Sequence, residues 1–437
     1  MDSKSNNLEF KSNAVVIGGV RSGVGKTIVG LCIASALKRR GLRVQPFKVG
    51  PDFIDPTHYS FCDHAVNLDA FMMGEDGVLK SFVRWMREKD FGVIEGVMGL
   101  FDGYRFTDYS STSHIAKLIG APVILVMDVR GVSLSAVAMF EGFRNFDENL
   151  NIAGVIFNNC TDNLFQKLRR VFEEKGYEVF GYLPKKKELE IESRHLGLIL
   201  GCEAKMDWKR LAEIGESYID IGRILEISEV KLKAVDLDKF DRSDNRRIGI
   251  PFDGAFAFYY RDNLEILRKF GELVFFSPLK GEWMECDAYY LGGGYPELYP
   301  ELRKFGRFIR KEAEDGKPIY AECGGMMFLS RGIDVNGRRI EMAGVLDMDI
   351  VFTERLQALG YVKGEVIRSN PFFVGNFRGH EFHYSYALPD EDVKFAFKTD
   401  GKGIKNGLDG ALVYNTLAGY THIHFYSAEL ILGRCLS

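Results

Sequence analysis

Through its first half the chain alternates short apolar runs with amphipathic stretches, and that alternation leaves few folds open. Residues 14–17, 44–49, 93–95, 122–128 and 153–157 read as buried strands. Residues 28–40 read as a helix that puts Leu31, Ala34 and Leu37 on one face and stops at Gly41. Strand and helix alternating at this spacing predict an α/β fold, a parallel sheet covered on both faces with ligands at the carboxyl ends of its strands.

At roughly 150 residues per domain, 437 residues predict two or three domains. The segment DLDKFDRSDNRR, residues 236–247, is dense in charge, and a new strand pattern follows it. The boundary is therefore placed between 1–240 and 241–437. In the second half, 248–251, 273–276, 288–291 and 318–321 read as strands and 300–315 as a charged amphipathic helix. Residues 343–346, 362–367, 382–387 and 420–425 read as later strands with fewer helices between them. No internal repeat joins the halves.

With 46% hydrophobic and 27% charged residues the chain is expected to fold. Lys and Arg number 57 against 61 Asp and Glu, for a net charge of −4, so no basic excess exists to neutralise a nucleic acid. Seven cysteines, odd in number and without C-x-x-C pairing, argue against a disulfide framework or zinc site and fit a reducing cytoplasm. The opening MDSKSNNLEFKSN is polar, and no run of 18 apolar residues follows, so neither secretion nor membrane spanning is expected.

The first predicted strand runs into GGVRSGVGKT, residues 18–27, and a helix opens directly after it. The pattern G-x-x-x-x-G-K-[ST] asks for Gly at position 20 and finds Val20. Gly23 and Gly25 still let backbone N–H groups turn inward on phosphate, and the helix N-terminus favours negative charge. Lys26 is expected to pair with the β and γ phosphates of ATP, and Thr27 to offer its hydroxyl to Mg²⁺. Arg21, five residues before Lys26, reads either as a phosphate contact across a subunit interface, which would make the protein a homodimer, or as a solvated loop residue.

Acids then gather at predicted strand ends. KVGPDFIDPTH, residues 48–58, holds Asp52 and Asp55 beside Lys48 and His58, a set for Mg²⁺ or phosphate work, although Asp55 before Pro56 also suits a helix cap. VIEGVMGLFDG, residues 93–103, delivers Glu95 from an apolar strand as a candidate metal ligand, because hard cations take oxygen donors. Asp102 lies in its Gly-flanked loop, where it can reach an acceptor substrate or serve a turn. Asp69 reads equally as a helix cap or a substrate residue. Asn158, at a strand end, is expected to recognise an adenine edge, with turn formation as the rival reading.

PIYAECGGMMFL, residues 318–329, reads as strand, sharp turn and helix with Cys323 at the apex, the shape of a nucleophile elbow whose helix N-terminus is expected to lower the thiol pKa. YTHIHF, residues 420–425, sets His422 and His424 two apart on one strand face, so that one can serve as the base. LGGGYPE, residues 291–297, ends a strand in three glycines able to form an oxyanion hole.

Taken in order, GVRSGVGKT, KVGPDFIDPTHY, NLDAFMM, VIEGVMGLFDG, LGGGYPELY, AECGGMMFL, RGHEFHYS and YTHIHF resemble the cobyrinic acid a,c-diamide synthase family over residues 19–425. The resemblance implies a P-loop NTPase domain with a dethiobiotin-synthetase-like parallel sheet, followed by a class I glutamine amidotransferase α/β domain. It implies ATP with Mg²⁺, L-glutamine and a tetrapyrrole carboxylate as the molecules bound. Lys26 and Thr27 fall on the family's phosphate loop, Asp52, Asp55 and Glu95 on its Mg²⁺ and phosphate acids, Asp102 on the acid that handles the acceptor carboxylate, and Cys323 on the glutaminase nucleophile. The family's Y-x-H segment favours His422 over His424, and the absence of an H-P-E ending implies a Cys–His dyad. RGHEFHYS, residues 378–385, is expected to face the tetrapyrrole or the domain interface. The implied activity is amidation of the a and c carboxylates of cobyrinic acid through an acyl phosphate. Nickel-sirohydrochlorin is the alternative macrocycle. A regulatory ATPase with a degenerate amidotransferase domain is the alternative of another class, and a cobyric acid synthase is disfavoured by GPDFIDPTH.

Overall fold

The computed structural model describes residues 9–190, 193–194, 197–198, 207–233, 235–237 and 245–432, and the chain divides into two units, Met1–Leu237 and Asp238–Ser437. The first unit is built on β1 (Glu9–Gly19), β2 (Val44–Val49), β3 (Val66–Leu68), β4 (Phe91–Glu95), β5 (Val123–Asp128), β6 (Ile152–Asn158) and β7 (Val179–Leu183), ordered β3-β2-β4-β1-β5-β6-β7 and parallel throughout. β1 is longer than its apolar run implies. Its polar start, Glu9 to Asn13, pairs antiparallel with β8 (Glu229–Lys233), which closes the unit.

Helix α1 (Lys26–Arg39) follows β1, with Gly25 as its N-cap at φ +97. It stops where Gly41 takes φ +86, a conformation that costs glycine little. The later helix Trp208–Tyr218 packs on α1 so closely that a Cβ on its Gly215 would stand 2.6 Å from the Cys32 carbonyl oxygen. Cys32 is thus a buried packing residue, its thiol pushed up to about 12 by burial. No disulfide joins the described cysteines.

The second unit carries a ten-stranded sheet. Its first five strands, Glu272–Phe276, Arg247–Pro251, Ala288–Leu291, Ile319–Glu322 and Thr416–Gly419 in spatial order, are parallel. Leu408–Val413, Lys394–Thr399, Ala358–Val366, Asn376–His383 and His422–Ile423 continue it antiparallel. The charged helix is Arg303–Glu314, preceded by a short 3₁₀ turn, Pro300–Leu302.

Three of the expected strands differ. Residues 343–346 are apolar because they lie against helix Gly324–Leu329 rather than in a sheet; Ala343 N–H donates to the Phe328 carbonyl (2.9 Å) and Val345 N–H to that of Leu329 (2.9 Å). The 382–387 run divides at Tyr384 between Asn376–His383 and Ser385–Pro389, which belong to different sheets. In the 420–425 run the strand is only His422 and Ile423, although His424 N–H still reaches the Arg378 carbonyl (3.2 Å). Among the described residues no helix is long and apolar enough to cross a membrane.

Candidate active sites

At the carboxyl ends of the first unit's strands lies a cleft of about 610 Å³. It is lined by Gly23, Gly25, Lys26, Thr27, Lys48, Asp52, Asp55, Glu95 and Asn158, so nine residues scattered over the sequence meet there. The glycines are placed by sterics: Gly23 and Gly25 have φ of +72 and +97, and a Cβ on Gly25 would stand 2.1 Å from Asn158 Nδ2. Asn158 lines the cleft and donates that amide to the Val24 carbonyl (2.8 Å), so it also braces the loop from β6. Lys26 donates to the carbonyls of Met98 (2.6 Å) and Arg21 (3.2 Å), and burial, with Lys48 nearby, lowers its pKa to about 8.

Beneath the loop is an ion cluster. Lys48 is buried and donates to Asp55 and to Glu95 Oε1 (2.8 Å), with Asp52 Oδ2 3.8 Å away. Glu95, wholly buried, also accepts from Thr27 Oγ1 (2.7 Å) and from the Tyr59 hydroxyl (2.8 Å). Burial raises the Glu95 carboxyl, and Lys48 opposes the rise. Burial also works against the Asp55 carboxylate, yet Lys48 holds it below its usual range; Asp52 is driven upward by burial and by Asp55. The acids therefore converge as expected, but an ammonium already stands among them.

The same cluster can take a divalent ion. Among the described residues no group of three His, Cys, Asp or Glu is arranged to hold a metal alone. Asp55 Oδ1 is nevertheless buried without a hydrogen-bond partner, and Thr27 and Glu95 add oxygen donors of the hard type that Mg²⁺ prefers.

Three other residues sit differently. Asp102 is exposed and accepts from Gly99 N–H (2.9 Å), a turn contact, while it remains near enough to act on Lys26. Arg21 is exposed and folds back on the Ser22 carbonyl (3.0 Å). Asp69 caps the helix Ala70–Met86 through Met72 N–H (3.0 Å) and accepts from Ser110 Oγ (2.9 Å). Tyr59 was not anticipated; a tyrosine in a turn carries no periodic signal.

In the second unit Cys323 stands between strand Ile319–Glu322 and helix Gly324–Leu329 at φ +44, ψ −102, a strained backbone for a side chain with a Cβ. Its N–H donates to the Gly419 carbonyl (2.7 Å). The turn is covered by the glycine run: a Cβ on Gly324 would stand 2.6 Å from Gly294 N, and one on Gly325 2.4 Å from the Leu291 carbonyl oxygen. The expected lowering of the thiol is not found. Burial, and then Glu297, push it up to about 12, against a smaller opposing effect of the Gly324 N–H, so it rests protonated at neutral pH.

His422 closes this site. A Cβ on Gly293 would stand 2.5 Å from His422 Cε1, and His422 Nδ1 lies 3.4 Å from Glu322 Oε2. The ring thus stands between the glycine run and the residue preceding the cysteine. His424 takes another place, packed with Tyr260 (centroids 5.0 Å) and Tyr426 (5.7 Å), fully buried and lowered to about 3 by burial. RGHEFHYS is largely interior to this unit: His380, Glu381 and His383 are buried, His380 stacks on His422 (5.1 Å) and His383 on Tyr420 (3.8 Å). Glu297 is buried, with Oε2 lacking a partner and burial raising it to about 7. Neither Glu322 nor Glu297 was singled out from sequence as a site residue.

Residues 15–199 match the CobQ/CobB/MinD/ParA nucleotide binding domain, and residues 247–430 the CobB/CobQ-like glutamine amidotransferase domain. Cobyrinate a,c-diamide synthase of Listeria innocua is 39% identical over 450 residues, covering 96% of this chain and 98% of its own length. That of Saccharolobus solfataricus is 39% identical, covering 95% and 98%. The chain belongs to the cobyrinate a,c-diamide synthase family. The family's counterpart in Methanocaldococcus jannaschii is 38% identical, with 94% of this chain and 95% of its own length covered. As a member of the cobyrinate a,c-diamide synthase family the chain is a glutamine-dependent carbon–nitrogen ligase, with an ATP-binding P-loop domain followed by a class I amidotransferase domain.

Proposed function

We propose that this ligase converts the a and c side-chain carboxylates of cobyrinate to amides, using ATP to activate each acid and glutamine to supply the nitrogen. The observation that carries the reading is the pairing, in one chain similar end to end to cobyrinate a,c-diamide synthases, of a lysine-lined phosphate cleft with a strained cysteine turn packed under the same glycine run that meets His422.

In the second unit the protonated thiol needs a base. Cys323 gives its proton to His422 as Sγ attacks the glutamine amide carbon. Backbone N–H groups of the glycine run receive the oxyanion. The C–N bond breaks, ammonia leaves with the proton returned by His422, and water hydrolyses the thioester to glutamate.

In the first unit Lys26 and the backbone N–H groups of the loop bind the triphosphate, and Thr27, Asp55 and Glu95 would hold Mg²⁺, which would neutralise phosphate charge. A substrate carboxylate oxygen, positioned with Asp102, attacks the γ-phosphorus and ADP departs. Ammonia then attacks the acyl carbon, and the C–O bond to phosphate breaks. Phosphorylation is required because a free carboxylate is a poor electrophile at neutral pH.

The test incubates purified protein with ATP, Mg²⁺ and glutamine, with cobyrinic acid and nickel-sirohydrochlorin in separate arms, and follows mass for two amide conversions. Two conversions of cobyrinic acid are expected. Conversion of the nickel macrocycle alone would replace the substrate, and conversion of neither would refute the reading. Cys323→Ala should abolish glutamine use and retain activity with ammonia; loss of both would refute the two-site division.

A further inference from the structure

No acid follows His422 in the sequence at the place where an H-P-E ending would supply one. The position two residues on is His424, whose ring is committed to Tyr260 and Tyr426. The structure nevertheless brings a carboxylate to the imidazole. Glu322 ends strand Ile319–Glu322 immediately before the nucleophile, is 1% exposed, and places Oε2 3.4 Å from His422 Nδ1.

The approach to His422 is an ion-pair distance, and the orientation of the carboxylate is set by three hydrogen-bond donors. The Tyr320 hydroxyl (2.8 Å) and Ile423 N–H (3.1 Å) reach Oε1, and the Tyr290 hydroxyl (2.9 Å) reaches Oε2. The Ile423 contact ties the acid to the backbone of the residue after the histidine, so carboxylate and imidazole are held by one short strand. On the other side His380 stacks on His422 at 5.1 Å and 20°, its Nδ1 bonded to the Tyr260 hydroxyl (2.8 Å). Burial keeps His380 well below its usual range, so it supplies a neutral face and no counter-charge. Glu322 is thus a buried carboxylate at ion-pair distance from His422.

We infer that Glu322 is the positioning acid of the glutaminase site, orienting His422 through Nδ1 and balancing the imidazolium that forms when Cys323 loses its proton. The site is then a triad in which the acid precedes the nucleophile by one residue. The positive φ of Cys323 ends the alternation of the strand directly after Glu322, so the acid and the thiol, although neighbours in sequence, are not forced onto opposite faces. The inference rests on the glutaminase reading of Cys323 proposed above.

The test is Glu322→Gln, which keeps the size and the acceptor oxygen and removes the charge. Glutamate release should fall about 10²- to 10⁴-fold in kcat, with the KM for glutamine within about threefold, as expected for an acid that orients and charge-balances a catalytic imidazole. In a His422→Ala background Glu322→Gln should cause no further loss. Amidation driven by free ammonia should survive in every variant, which also reports on folding.

Glu322→Asp keeps the charge at shorter reach, and is expected to recover part of the kcat lost in Glu322→Gln. A Glu322→Gln enzyme within threefold of wild type, a loss confined to KM, a loss additive with His422→Ala, or a Glu322→Asp enzyme no better than Glu322→Gln would each overturn the inference. Failure of the wild-type chain to release glutamate would instead overturn the reading of Cys323, and is seen before any variant is made.

Discussion

Lys48→Met tests whether the ammonium beneath the phosphate loop holds the cluster together. The side chain is 4% exposed and faces Asp55, Glu95 at 2.8 Å and Asp52 at 3.8 Å. Methionine fills similar volume and leaves Glu95, 0% exposed, with only the Thr27 and Tyr59 hydroxyls as hydrogen-bond donors. Removing one partner of a buried ion pair costs about 3–5 kcal/mol. For a unit of this size that lowers Tm by roughly 6–20 °C, at ~2–4 °C per kcal/mol.

The pH dependence fixes the cause. Without Lys48, burial raises the folded-state pKa of both Glu95 and Asp55 above their unfolded values. The variant is then relatively most stable below those unfolded values and loses stability as pH rises through the raised ones. Calorimetry at pH 5 and pH 8 should show a Tm deficit against wild type that is larger at pH 8. A deficit equal at the two pH values, or below about 1 kcal/mol at pH 8, would refute the argument, since an uncompensated buried charge cannot be independent of pH.

Glu297, raised to about 7 by burial, gives the same sign in the wild-type protein: its contribution is most favourable below pH 4.5 and lost as pH rises through 7, so Glu297→Gln should stabilise the second unit by roughly 3 kcal/mol at pH 8 and little at pH 4, read by melts at both. Gly293→Ala puts a methyl 2.5 Å from His422 Cε1 and should cut glutaminase kcat about 10²-fold, with ammonia-dependent amidation intact in the same assay. Lys26→Ala should abolish amidation with either nitrogen source while glutamate release continues. His424→Phe, which keeps a flat ring between Tyr260 and Tyr426, should leave glutaminase kcat within about threefold, and a 10²-fold loss would return His424 to the catalytic set.

Much of the architecture could be read from residue order. β1, β2, β4, β5 and β6 of the first unit and Ala288–Leu291 in the second show as apolar runs because both of their faces are covered, whereas β3 and β7, at the two edges of the sheet, do not stand out. The polar start of β1 and strand Glu229–Lys233 escaped, since each offers alternating or charged residues that pair only with the other. Residues 343–346 misled for the converse reason, being apolar through contact with a helix.

By itself the sequence determined the special backbone positions and the reactive groups: glycines where φ must be positive, a GKT turn, one cysteine at a strand-to-helix apex. These follow from local sterics and survive without knowledge of any neighbour. Partnership was decided by the tertiary structure. Lys48 reaches Glu95 across 47 positions, Asn158 reaches Val24 across 134, and Glu322 meets the backbone of Ile423 across 101. Such pairs arise from strand order and register, where a shift of one residue turns a side chain to the opposite face. Two histidines equal in the sequence are likewise unequal in the protein, because the groups packed on them come from elsewhere in the chain: the glycine run stands beside His422, and Tyr260 and Tyr426 enclose His424.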